Sequence, residues 1–205
     1  MNWELCNIRA FSDAQFEEMY RLAAPERREK ADRFKFADDR ARCLCADYLA
    51  RHMLAKAAGI TPAEICFSLG HKDKPRANVP LHFNLSHSGD LVLCAVSKSP
   101  IGVDIEQIKP FRAGMVDRFF NEVEAGYVWG DSPAPEGNVT APEMCRRFYR
   151  VWTAKEAYTK MTGTGISTDL KAVGFDPDTM TVCGIKLITP DAPDGYVISI
   201  VKNDL

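Results

Sequence analysis

Residues 81–106 read LHFNLSHSGDLVLCAVSKSPIGVDIE, and this stretch decides the fold class. Apolar and β-branched residues fill most of it, while turn-forming residues interrupt it at 86–90 and at 99–100. The pattern predicts a meander of three short antiparallel strands: Phe83–Leu85, Leu91–Ser97 and Ile101–Ile105.

Helices are predicted on both sides of this stretch. Ser12 and Gln15 have the spacing of a capping box, and Pro25 suits the first turn of a second helix. Residues 37–58 predict a long amphipathic helix that ends at Gly59. Further helices are expected near 112–119, 121–129 and 143–161. Strands are expected near 3–9, 65–69, 172–176, 182–188 and 195–202. Loops are expected at 70–80 and 130–142.

The predicted elements occur in blocks of helices and of strands, without strict βαβ alternation. This order is typical of the α+β class, with small antiparallel sheets packed against helices. We expect two halves, residues 1–98 and residues 99–205, although the two segments share no sequence repeat.

Composition and charge exclude several classes of protein. The chain of 205 residues is 46% hydrophobic and 26% charged, as a folded globular protein is. Its net charge of −2 argues against general nucleic-acid binding. Apolar runs stay below the roughly 18 residues of a membrane span, and the N-terminus does not resemble a signal peptide. We therefore expect a cytoplasmic protein that binds neither membrane nor nucleic acid.

The cysteine pattern indicates reduced thiols. The chain has seven cysteines, an odd number, and none of them forms a CxxC pair. A zinc site or a disulfide framework usually requires such a pattern, so neither is expected.

One segment of the chain is markedly basic. Seven basic residues stand against four acidic residues between positions 27 and 42. A local cluster of positive charge on a nearly neutral protein suits a single anionic ligand, and the alternative is a solvated helix face. The basic residues are Arg27, Arg28, Lys30, Arg33, Lys35, Arg40 and Arg42.

Asp104 and Glu106 are candidates for metal binding. Residues two apart on a strand point to the same face, so the two carboxylates converge. Two adjacent carboxylates repel each other unless a cation lies between them, and hard oxygen ligands suit Mg²⁺. The alternative is an exposed strand edge that carries protective charges.

The segment Trp152–Lys160, WTAKEAYTK, is the second acidic candidate. Glu156 and Lys160 lie four residues apart on one helix face, and Lys155 lies one residue round from Glu156. Glu156 could complete a shell of three carboxylates, with the lysines facing a phosphate. A helix-surface salt bridge between Glu156 and Lys160 is the alternative.

Ser86 and His87 lie side by side in the predicted turn at 86–90. Adjacent residues rarely adopt the geometry of a nucleophile and its base, and the G-x-S-x-G motif is missing around them. A phosphate-binding turn, with the hydroxyl and the imidazole as donors, fits the pattern better.

Taken together, these segments resemble the 4′-phosphopantetheinyl transferase superfamily, and within it the surfactin-synthetase-activating (Sfp-type) group. Four motifs occur in the order of that family, across roughly residues 20–170. They are the basic segment 27–42, FNLSHS at 83–88, GVDIE at 102–106, and the segment 152–160 followed by Gly163 and Gly165.

The resemblance implies an α+β pseudo-dimer that acts as a monomer and binds coenzyme A between its halves. It implies Mg²⁺, or Mn²⁺ in its place, held by Asp104, Glu106 and Glu156. A serine of an apo acyl carrier or peptidyl carrier protein would attack coenzyme A, with Glu156 as the proton acceptor. Adenosine 3′,5′-bisphosphate would leave.

The resemblance also implies which residues bind coenzyme A. Lys155 and His87 would neutralise the pyrophosphate, Lys160 would support them, and Glu124 would orient the site. The 3′-phosphate and the adenosine would contact Arg27, Lys30, Arg42, Lys74 and Ser86. Two other functions remain open on the residues alone: a non-catalytic module that binds coenzyme A or a carrier protein, and an unrelated Mg²⁺-dependent nucleotide enzyme.

Overall fold

The structure, a computed structural model, describes residues 1–70, 74–165 and 169–203. Its internal contacts divide the chain into two units, Met1–Ile101 and Gly102–Asn203. Each unit combines helices with small antiparallel sheets, so the predicted α+β class is confirmed. The division expected from the sequence, into residues 1–98 and residues 99–205, stays a prediction.

The described residues of the first unit form three helices and five strands. Its helices are α1 (Asp13–Leu22), α2 (Pro25–Asp32) and α3 (Ala37–Ala58), with 3₁₀ turns at Ile8–Ala10 and Pro62–Glu64. Its strands are β1 (Asn2–Asn7), β2 (Phe67–Leu69), β3 (Pro75–Ala77), β4 (His82–Ser88) and β5 (Leu91–Ser97).

Strand β5 is the centre of the main sheet of this unit, which has the order β1-β5-β4. Both pairings are antiparallel, with Leu93 opposite Leu5 on one side and opposite Ser86 on the other. Every residue of β5 is buried, as expected of a central strand with a helix packed on it. That helix is α3.

Helix α3 has the predicted bounds, and Gly59 ends it with a φ of 73°. The predicted amphipathic character is wrong, because most residues between Cys43 and Ala55 are buried on nearly every side. One side of the helix packs with Val92 and other residues of the sheet, while Leu44 on another side packs with Met19 of α1. The helix is therefore a core element.

Three helices and seven strands occur in the part of the second unit that the structure describes. Its helices are α4 (Gly114–Phe119), α5 (Glu122–Trp129) and α6 (Pro142–Thr162), with a 3₁₀ turn at Leu170–Ala172. Its strands are β6 (Ile101–Gln107), β7 (Phe111–Arg112), β8 (Asn138–Val139), β9 (Phe175–Asp176), β10 (Thr181–Val182), β11 (Ile185–Ile188) and β12 (Tyr196–Lys202).

The predicted three-stranded meander is wrong in its third strand. Strands β4 and β5 pair as expected, but β6 belongs to a second sheet of order β6-β12-β11-β10-β9. The pairing partner of β6 is the strand Tyr196–Lys202, about ninety residues later in the chain. Strand patterns indicate that a segment is extended, but the choice of partner is made by tertiary packing.

Most of the remaining expectations are confirmed with small shifts of boundary, but the strand expected at 172–176 is limited to β9 (Phe175–Asp176) and follows a 3₁₀ turn at Leu170–Ala172. Ser12 and Gln15 form the capping box of α1, and Pro25 is the first residue of α2. The segment expected as one strand at 182–188 is a hairpin of β10 and β11 with its turn at Cys183 and Gly184. The loops expected at 70–80 and 130–142 contain the short strands β3 and β8, and residues 71–73 lie outside the described part.

No helix within residues 1–70, 74–165 and 169–203 is both long and apolar enough to cross a membrane.

Candidate active site

Gly102 sets how closely helix α6 packs against strand β6. A Cβ built on Gly102 would lie 1.9 Å from the carbonyl oxygen of Ala157 and 2.4 Å from the backbone nitrogen of Met161. Only glycine permits this approach of a helix backbone to a strand backbone. Asp104 lies two residues along the same strand, so its side chain points to the same face. The short contact at Gly102 therefore brings Asp104 next to the helix.

Asp104 and Lys160 form an ion pair that joins β6 to α6. The Lys160 Nζ donates to Oδ1 of Asp104 at 2.6 Å. The Asp104 side chain is 5% exposed and that of Lys160 is 30% exposed, so the pair lies where the interior meets solvent. The alternative of an exposed strand edge is therefore wrong for Asp104.

Glu156 lies one helical turn before Lys160 and interacts electrostatically with the carboxylates of Asp104 and Glu106 on strand β6. Burial raises the pKa of Glu156, the charge of Asp104 raises it further, Lys160 opposes the rise, and Glu106 adds to it. Asp104, Glu106 and Lys160 therefore all lie within electrostatic range of Glu156.

The chemistry of this group fits a hard divalent cation. Three carboxylates supply the oxygen ligands that Mg²⁺ prefers, and their mutual repulsion would be relieved by a positive ion. In the described parts of the chain, no three His, Cys, Asp or Glu side chains are already placed to hold one metal ion. The predicted ligand set of Asp104, Glu106 and Glu156 therefore stays a prediction.

Lys155 is directed into the interior of the second unit and is only 1% exposed. Its ammonium lies 2.5 Å from Oε2 of Glu124 and donates to the backbone carbonyl oxygens of Phe119, at 3.0 Å, and Leu170, at 2.8 Å. An ammonium has three protons, and three acceptors match them. Burial lowers the pKa of Lys155, and the Glu124 carboxylate opposes that shift.

Glu124 is the acceptor at the centre of this buried cluster. Oε2 of Glu124 accepts from the backbone N–H of Asn121, which completes the capping box of α5. Oε1 accepts from the backbone N–H of Phe175 in β9 at 2.7 Å. With Lys155, one carboxylate joins α5, α6 and β9. The predicted phosphate contact of Lys155 stays untested, but this geometry favours a role in holding α6 in place.

The first unit carries the predicted binding residues for coenzyme A other than Lys155 and Lys160. Arg27 and Lys30 lie three residues apart on α2 and line a cavity of about 440 Å³. Phe67, Leu69 and Pro75 form apolar parts of its wall. The carboxylates of Glu26 and Asp47 line it as well. The cations beside the apolar surface can accept an aromatic ring that carries a phosphate.

Arg42 and Lys74 are in different surroundings. Arg42 donates from Nη1 to the carbonyl oxygen of Gly89 at 2.7 Å and from Nη2 to Asp39 at 2.6 Å. It thereby fastens the β4–β5 turn to α3. Lys74 is half-buried, and both this burial and the charge of Arg76 lower its pKa.

Ser86 and His87 lie on strand β4, which continues to Ser88, and the expected turn at 86–90 is limited to Gly89 and Asp90. Ser86 is buried and His87 is exposed. Successive residues of a strand point to opposite faces, so the two side chains do not face the same side of the sheet. Their predicted roles stay predictions, but one turn does not supply both donors.

Sequence reasoning missed three features of these units. The contact at Gly102 could have been recognised in the sequence, because an isolated glycine within a strand indicates that another backbone approaches closely. No local sequence pattern indicates the pairing of Lys155 with Glu124, because 31 residues separate them in the chain. The pair Asp47 and Arg51 was also missed, although its spacing of four residues on a helix is a recognisable signal.

Comparison with known families gives two matches that together cover most of the chain. Residues 100–201 match the model of the 4′-phosphopantetheinyl transferase superfamily, and residues 10–99 match that of the 4′-phosphopantetheinyl transferase N-terminal domain.

Individual relatives carry the same description. The chain is 33% identical to a 4′-phosphopantetheinyl transferase of Bacillus subtilis, over 94% of this chain and 87% of that protein. It is 36% identical to the 4′-phosphopantetheinyl transferase psf-1 of Bacillus pumilus, over 77% of this chain and 65% of that protein. The transferase gsp of Aneurinibacillus migulanus is 30% identical, over 85% and 73% of the two chains. These matches confirm the resemblance to the Sfp-type group.

Proposed function

The chain belongs to the 4′-phosphopantetheinyl transferase superfamily, and from this we propose that it moves the 4′-phosphopantetheine arm of coenzyme A onto a serine of an apo acyl carrier or peptidyl carrier protein. Adenosine 3′,5′-bisphosphate is the second product. The observation that carries the proposal is the packing of α6 on β6 at Gly102, which puts Asp104 and Lys160 in contact beside Glu156.

Asp104, Glu106 and Glu156 would hold Mg²⁺ in this proposal, with Mn²⁺ as an alternative. The support is the chemistry of the three carboxylates, which are hard oxygen donors that repel one another. When bound, the ion supplies Lewis-acid stabilisation of the charge that develops on the phosphate oxygens.

The reaction breaks one P–O bond and forms another. The serine Oγ of the carrier protein attacks the β-phosphorus of coenzyme A, and the bond from that phosphorus to the bridging oxygen breaks. The bridging oxygen leaves with the electron pair as part of adenosine 3′,5′-bisphosphate. Glu156 accepts the serine proton, directly or through a water molecule, and burial favours this because it raises the pKa of the carboxyl.

Two lysines of α6 have different tasks in the proposal. Lys160 lies at the boundary with solvent and would stabilise the negative charge on the transferring phosphate. Lys155, held by Glu124 and two carbonyl oxygens, would keep the helix in the position that presents Glu156.

Arg27, Lys30, Arg42, Lys74, Ser86 and His87 would bind the phosphates and adenosine of coenzyme A. The support is the cavity beside Arg27 and Lys30, whose lining combines these two cations with apolar side chains and with the carboxylates of Glu26 and Asp47.

In this proposal the transferase is a monomer and acts in the cytoplasm. All seven cysteines lie in described segments and are free thiols, which suits a reducing compartment. Light scattering tests the monomer, because it should give the mass of one chain, 22.9 kDa. Cell fractionation tests the location in the cytoplasm.

The direct test is incubation with coenzyme A, Mg²⁺ and a panel of apo carrier proteins, followed by mass spectrometry of each carrier. The expected result is a gain of one phosphopantetheine arm on at least one carrier, and none when a chelator replaces Mg²⁺. Tight binding of coenzyme A without transfer to any carrier would favour the non-catalytic alternative.

A further inference from the structure

Asp47 is an almost fully buried carboxylate on α3, 2% exposed. It lies between two guanidinium groups. Oδ2 accepts from Nε of Arg51 at 2.6 Å, and Oδ1 lies 3.3 Å from Nε of Arg27. Oδ1 receives no hydrogen bond of good geometry from the described residues, so the ion pair with Arg27 is its closest compensation. A buried carboxylate needs such compensation, because transfer from water to the interior is costly.

Arg51 holds Asp47 in place from the interior. It is 4% exposed, lies one helical turn after Asp47, and donates from Nη1 to the carbonyl oxygen of Ile65. Its guanidinium also lies 5.0 Å from the centre of the Phe67 ring. With its own charge paired and its geometry set by three partners, Arg51 fixes the carboxylate of Asp47 in one orientation.

The same pair organises two walls of the cavity beside α2. Arg27 and Phe67 both line that cavity, and each contacts one member of the buried pair. The Arg27 side chain is 25% exposed, whereas that of Asp47 is 3% exposed, so the ion pair runs from the interior to the cavity surface. An anchored guanidinium loses less rotational freedom when it binds an anion than a free one does.

We propose that Asp47, held by Arg51, is a positioning residue that orients Arg27 toward the 3′-phosphate of coenzyme A and so selects coenzyme A over its 3′-dephospho form. This inference rests on the proposed function. Asp47 also lines the cavity, but its carboxylate would repel a phosphate, so its proposed action on the ligand passes through Arg27. Asp47 engages Nε of Arg27, while Nη1 of Arg27 donates to Sγ of Cys43 at 3.8 Å. These two contacts fix the plane of the guanidinium, and Nη2 is the terminal nitrogen that meets the phosphate in this proposal.

The test compares coenzyme A with 3′-dephospho-coenzyme A as donors for the wild type and for Asp47→Asn. We expect the substitution to raise KM for coenzyme A by about tenfold, as the loss of one charge-assisted contact does. The kcat, and the KM for the dephospho donor, should change by less than about twofold, because Arg27 has no 3′-phosphate to meet there. An equal change for both donors would overturn the proposal.

A double-mutant cycle separates orientation from general damage. In the Arg27→Ala background, Asp47→Asn should have no further effect on KM for coenzyme A, because its action passes through Arg27. Additive effects would contradict the proposal. If the wild type transfers from neither donor to any carrier protein, the proposed function fails, and that result is distinct from failure of the Asp47 assignment.

Removing the charge of Asp47 leaves Arg51 without its counter-ion, so Asp47→Asn can fail to fold. The double variant Asp47→Leu with Arg51→Met removes both charges, and such apolar replacements of buried pairs are often tolerated. It should lose the same selectivity for coenzyme A while its circular dichroism stays native. If neither variant folds, the pair serves the fold alone and the proposal is wrong.

Discussion

Lys155 and Lys160 lie five residues apart on one helix, yet their surroundings are opposite. Lys155 is enclosed by a carboxylate and two carbonyl oxygens, and Lys160 reaches the boundary with solvent beside Asp104. A helix turns about 100° per residue, so five residues place the two side chains on different faces. The difference in burial therefore assigns Lys155 to a structural role and leaves Lys160 as the candidate catalytic cation.

Lys155→Met should destabilise the protein by about 3–5 kcal/mol, because it leaves the buried carboxylate of Glu124 without its counter-ion. Urea unfolding measures this loss. Lys160→Met should cost less stability, since solvent reaches that side chain, but should lower transfer to the carrier by at least about tenfold. Equal stability losses in the two variants would contradict the distinction drawn between them.

Glu156→Gln should lower kcat by at least about a hundredfold, since it removes the proposed proton acceptor and a proposed metal ligand. The thermal midpoint should stay the same or rise, because the substitution removes a carboxyl whose pKa is raised by burial and by Asp104. Glu143→Gln, an exposed position in the first turn of the same helix, is the matched control and should transfer normally. Near-normal transfer by the Glu156 variant would exclude both roles.

At the scale of elements, the contact between α6 and β6 determines whether the acidic groups meet. The helix carries Glu156 and Lys160, and the strand carries Asp104 and Glu106. Neither element assembles the group alone. The candidate site therefore depends on the short distance between the backbones of β6 and α6 at Gly102.

Gly102→Ala should destabilise the second unit by at least about 3 kcal/mol and abolish transfer, because the added methyl group meets the backbone of α6. Gly126→Ala in α5 is the matched control, since a Cβ there meets no described heavy atom within 4 Å. It should stabilise the helix by about 0.5–1 kcal/mol. Thermal unfolding and the transfer assay check both variants, and a well-folded, active Gly102 variant would refute the packing argument.

At the scale of the whole molecule, the predicted functional residues are distributed over both units. The basic residues of α2 and α3 belong to Met1–Ile101, and the three carboxylates belong to Gly102–Asn203. Each unit places one long helix on its main sheet, α3 on β5 and α6 on β12. Each unit can therefore hold its own part of the functional residues rigidly.

Coenzyme A with Mg²⁺ should stabilise the protein against heat, by about 2.7 kcal/mol at a concentration one hundred times its Kd. Hydrogen exchange should slow in α2 and also in β6 and α6, because the predicted ligands of coenzyme A and of the metal lie in those elements. Adenosine is the control ligand, since it lacks phosphates. Protection confined to one unit would contradict the predicted division of ligands.

The sequence alone was sufficient for much of the local structure and for the family. Capping residues such as Ser12 and terminal glycines such as Gly59 act through neighbours within a few positions, so helix bounds follow from the chain itself. The carboxylates at 104 and 106 and the motif at 152–160 likewise identify the family from residues close together in sequence.

Only the tertiary structure decided which side chains meet and which are buried. Strand β6 pairs with β12 and not with β5, Lys155 pairs with Glu124 in the interior, and Asp47 joins Arg51 to Arg27. Each of these outcomes depends on contacts between elements far apart in the chain, and local pattern carries no information about them. The carboxylates were identifiable as residues, but their approach to α6 depends on a glycine that lets two backbones touch.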